Sequence, residues 1–64
     1  MMTQKQYNDA LEKLGLSTYL AAKWLGISSR QSHRYANGVQ RVNKTVELLL
    51  QAYLEHGLPQ FHRQ

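Results

Sequence analysis

A chain of 64 residues without cysteine has room for one domain, residues 1–64, and must hold it by packing alone, because disulfides and thiolate-bound zinc are excluded and only about 60% of the unfolded surface is buried at this size. No stretch reaches the roughly 20 consecutive apolar residues of a membrane span, and MMTQKQYNDA lacks the apolar centre of a signal peptide, so no membrane partner and a reducing, cytoplasmic setting are expected. The formal net charge of +4 points away from cationic partners and towards polyanions.

Helix one is expected to start at Thr3, whose hydroxyl caps the amide of Gln6 while the Gln6 side chain reaches back. Tyr7, Ala10, Leu11 and Leu14 then form a single apolar stripe, and Gly15 ends the helix. Ser17 caps helix two, which runs through TYLAAKWL to Leu25 and breaks at Gly26, with Ala21 and Ala22 small enough for close approach of another helix. Ser28 caps helix three, SRQSHRYA, which stops near Asn37-Gly38. Helix four is capped by Asn43 and sets Val46, Leu49, Leu50, Tyr53 and Leu54 on one face, a face expected to be core. His56, Gly57 and Pro59 mark its end. No run of alternating β-branched residues reads as a strand, so the fold class is all-α: a compact four-helix domain.

Only Gly26, Ile27 and Ser28 separate helices two and three. A glycine-containing turn this short makes the two helices cross steeply and projects the second from the surface, where it can enter a major groove about 12 Å wide. Charge follows the same geography. All four acids (Asp9, Glu12, Glu47, Glu55) lie towards the ends, whereas six cations (Lys13, Lys23, Arg30, Arg34, Arg41, Lys44) and no acid occupy the span from 13 to 46.

The segment LSTYLAAKWLGISSRQSHRYANG resembles the helix-turn-helix of the phage repressor and Cro-type superfamily, the Xre-like bacterial regulators. The likeness is carried by Ala22 four residues before Gly26, the turn Leu25-Gly26-Ile27-Ser28, Tyr35 late in helix three and Asn37-Gly38 after it. It extends to the flanking helices and covers nearly the whole chain, with the helix-turn-helix core at residues 17–37. Two positions depart from the family pattern. Ser32 stands where valine or isoleucine is usual, and its buried hydroxyl is expected to bond the Ser28 carbonyl. Leu20 stands where a polar residue is common, and with Trp24 it either completes the core or forms a patch for self-association, as Leu58 and Phe61 of the tail also could. The tail from Leu58 to Gln64 is too short for the fifth helix of many relatives.

The resemblance implies that Ser29, Arg30, His33 and Arg34 meet base edges. Arginine suits guanine because its planar fork donates to both O6 and N7. It also implies phosphate contacts from Thr18 at the start of helix two, where amides and the helix dipole favour an anion, and from Lys23, Gln31, Asn37, Arg41 and Lys44. The three histidines (His33, His56, His62) lack zinc spacing and are not paired with carboxylates at helical intervals, so no metal or other cofactor is expected. The serines read as caps and polar surface rather than nucleophiles, so no enzyme and no small-molecule ligand is expected.

The expected function is sequence-specific binding of double-stranded DNA by a transcriptional regulator, a repressor foremost, in the nucleoid. The expected assembly is a homodimer over a palindromic operator whose half-sites lie roughly 34 Å apart. The alternatives are an antitoxin-type or phage accessory-gene autoregulator, and a helical protein-interaction module without DNA binding. RNA binding ranks lower because no sheet offers aromatic stacking platforms.

Overall fold

The computed structural model describes residues 2–58. Every helix in it begins where a short polar side chain satisfies an otherwise unpaired amide. Thr3 starts α1 (Gln4–Leu14), its Oγ1 accepting from the Gln6 amide while Gln6 Oε1 accepts from the Thr3 amide, the reciprocal box expected. Ser17 accepts from Leu20 N–H ahead of α2 (Thr18–Leu25), Ser28 from Gln31 N–H ahead of α3 (Ser29–Ala36), and Asn43 from Val46 N–H ahead of α4 (Lys44–His56). Each such cap contributes about 1 kcal/mol. No strand occurs among the described residues.

Between α2 and α3 the chain turns on Gly26, whose φ of 70° lies in the left-handed region. Its amide and that of Ile27 both bond back to the Ala22 carbonyl, closing α2 within the turn. α2 and α3 pack more extensively on one another than on α1 or α4, as a helix-turn-helix requires. After α3, Asn37 stays right-handed and Gly38 makes the left-handed exit at φ 75°.

Tyr7, Ala10 and Leu11 of α1, Ala21 and Leu25 of α2, Tyr35 of α3, and Val46 and Leu50 of α4 make the core, joined by Met2 and by Val42 from the loop. Tyr7 and Tyr35 are its largest members; their rings meet edge-on at 5.5 Å. Both are fully buried, as is Ser32 beside them.

Four expectations are corrected or decided here. The Ser32 hydroxyl does not bond the Ser28 carbonyl; it donates to the Thr18 carbonyl on α2 at 2.8 Å and lies 2.7 Å from the Tyr7 hydroxyl on α1. With its one proton committed to Thr18, Ser32 accepts from Tyr7, so a three-helix bond replaces a local one. Leu54 is not core. It is 40% exposed and lines an open groove between α1 and α4, because α1 does not close over the last turn of α4. Tyr53 is half-buried rather than buried, its hydroxyl donating to the Trp24 carbonyl at 2.7 Å and its ring edge-on to Trp24. Of the Leu20–Trp24 strip, Trp24 is half-buried against Tyr53 while Leu20 stays exposed. The expectations for Pro59, Phe61 and His62, and for the tail beyond Leu58, lie outside the described residues.

Candidate nucleic-acid interface

Successive residues of a helix are about 100° apart, so the burial pattern of α3 fixes which side it shows. Ser32 and Tyr35 are buried and Ala36 half-buried on one side, while Arg30, His33 and Arg34 are exposed on the other. Ser29 sits half-buried at the edge of this outward stripe. Arg30 and Arg34 diverge by only about 40°, and His33 flanks Arg30 on the Ser29 side. Among the described residues neither arginine is held by an acid; Asp9 pairs with Lys5, and Glu55 lies 3.9 Å from the His56 imidazole.

α3 is restrained along its length. Its inner face is tied to α1 and α2 through Ser32, as above. At its end the Ala36 carbonyl, which has no partner within the helix, accepts from two α1 side chains, Gln4 Nε2 at 2.9 Å and Asn8 Nδ2 at 3.0 Å. The Arg34 carbonyl accepts the amides of Val39 and Gln40 as the chain folds back under α3. Gly38 in this turn is favoured by its positive φ, and a Cβ there would lie 2.6 Å from Gln4 Oε1, so the Gln4 side chain would have to move aside.

The residues expected at phosphate divide in two. Lys23 is exposed on α2, Asn37 and Arg41 on the loop, and Lys44 at the first position of α4. Thr18 opens α2 half-buried, with its carbonyl already engaged by Ser32. Gln31 is not brought together with the outward stripe: its Nε2 donates to the Tyr35 hydroxyl at 2.9 Å, which turns the amide along α3. Sequence reasoning passes over Tyr19, 60% exposed one turn before Lys23 on the outer side of α2, because an aromatic residue reads by default as core. The signal was available: Tyr19 falls about 100° from Thr18 and off the Ala21–Leu25 stripe. Val39, whose amide bonds the Arg34 carbonyl, is 74% exposed, and Leu20 on α2 is exposed as well.

Elsewhere on the molecule the α1–α4 groove, about 460 Å³, mixes Asp9, Lys13 and Glu47 with Ala10 and Leu54. No group of three or more His, Asp or Glu side chains that could hold a metal ion occurs among the described residues. No described helix is long and apolar enough to cross a membrane. Burial pushes the Tyr7 phenol above its ordinary range, and Tyr35 adds to it. The chain matches no protein-family model, no curated protein and no solved structure.

Proposed function

We propose that this chain is a sequence-specific DNA-binding regulator of transcription, a repressor foremost, that lays α3 in the major groove. The observation that carries the reading is the exposed Arg30–His33–Arg34 stripe on a helix whose opposite side is buried, set within a span of six cations and no acid. A helix with side chains is 10–12 Å across and the groove about 12 Å wide, so the projecting stripe reaches base edges once α3 enters. Lys23 on α2, Asn37 and Arg41 on the loop and Lys44 at the start of α4 are exposed; in this reading they meet the sugar-phosphate backbone and fix register without reading sequence. The chemistry is binding rather than catalysis, with no cofactor taking part. One such surface makes few phosphate contacts, so useful affinity calls for two copies on a palindromic site.

Fluorescence anisotropy of a labelled random duplex against salt tests the reading. Each phosphate neutralised contributes about 0.9 to the slope of log affinity against log salt. A slope of several units is expected, and salt-independent or absent binding would favour a helical protein-interaction module instead.

A further inference from the structure

We infer that the half-site read by this surface carries two guanines no more than two base-pair steps apart, one held by Arg30 and the other by Arg34. The inference rests on the DNA-binding reading above and narrows it to a class of sequence.

A guanidinium has five donors in a rigid fork and no acceptor. On the floor of the major groove only guanine offers two adjacent acceptors, O6 and N7; adenine sets a donor beside its N7, and cytosine presents a donor. An arginine that reaches a base edge unneutralised therefore selects guanine. Both arginines meet that condition, being exposed, unpaired with any acid among the described residues, and pointed the same way by the burial of Ser32 and Tyr35 behind them. Their spacing sets the second half of the inference. Four residues of helix rise about 6 Å, and base pairs rise about 3.4 Å, so two forks on one side of α3 meet bases one or two steps apart. The ties at Ser32 and at the Ala36 carbonyl keep that spacing from sliding. His33, on the Ser29 side of Arg30, leaves the Arg30–Arg34 line clear.

The test is selection of duplexes by the full chain from a random pool, followed by replacement of each guanine in the winning site with 7-deazaguanine, which lacks the N7 acceptor but still pairs with cytosine. The expected site has two guanines one or two steps apart, each replacement weakening binding roughly 5- to 150-fold. Arg30→Ala should abolish sensitivity to one replacement and Arg34→Ala to the other. A winning site without the pair, or one indifferent to 7-deazaguanine, overturns the inference while leaving DNA binding in place, with both arginines then on phosphate. Retention of no duplex even at low salt brings down the DNA-binding reading together with it.

Discussion

Tyr7 is sealed in the core with its hydroxyl given to Ser32, and burial makes its ionised form costly. The folded-state phenol therefore titrates above the unfolded one, which ionises near pH 10. Stability from this source is complete below that pH and is lost as pH climbs through the raised folded value, since the unfolded chain then holds fewer protons. Urea midpoints measured from neutral pH to about pH 11 should fall on the alkaline side, and Tyr7→Phe should flatten that fall. At neutral pH the same variant should cost about 1 kcal/mol, because one buried hydrogen bond is lost while Ser32 keeps its bond to Thr18. Gly26 and Gly38 separate two effects that usually come mixed. Alanine at Gly26 meets open space and bears only the left-handed backbone, about 1–2 kcal/mol. Alanine at Gly38 bears that and also displaces Gln4 from the Ala36 carbonyl, so thermal unfolding should show the larger loss there.

The helices themselves were written almost entirely in local sequence. Thr3, Ser17, Ser28 and Asn43 begin them and Gly15, Gly26, Gly38 and Gly57 end or follow them, so each boundary depends on a few neighbouring residues and was legible before any tertiary contact was known. What was not legible depends on which element covers which. The periodicity that puts Leu54 with Val46 and Leu50 is correct as geometry, yet it carries no information about where α1 stops covering α4. The partners of Ser32 are 14 and 25 residues away, and those of Ala36 are 28 and 32 away, beyond the reach of any one-turn rule. The outward stripe of α3 and the sideways direction of Gln31 were legible because inward and outward residues alternate on one short helix, whereas the partner of Gln31, the Tyr35 hydroxyl, was not. On α4 the expectation is direct. Leu50 is 1% exposed, and Leu50→Ala should cost roughly 2–5 kcal/mol, a large part of the stability available to so small a domain.

Across the whole molecule the charges are sorted by helix. All four acids sit on α1 and α4, and the α2–α3 unit with the loop after it carries cations alone. A polyanion approaching from the α1–α4 side meets mixed charge; approaching α3, it meets none of its own sign, which favours one orientation before any contact forms. Lys44→Ala should lower the salt slope of duplex binding by about 0.9 and leave preference among sequences unchanged, in contrast to the arginines of α3.

The double clasp of Gln4 and Asn8 on the Ala36 carbonyl makes the first helix the hinge-pin of the reading head. Whatever pries that helix loose, a bulky fusion at the amino end or a protein wedged beneath it, would let the far end of α3 wander and blur base discrimination from a distance. Grip on the phosphates would survive, because Lys23, Arg41 and Lys44, which supply it, lie outside both α1 and α3.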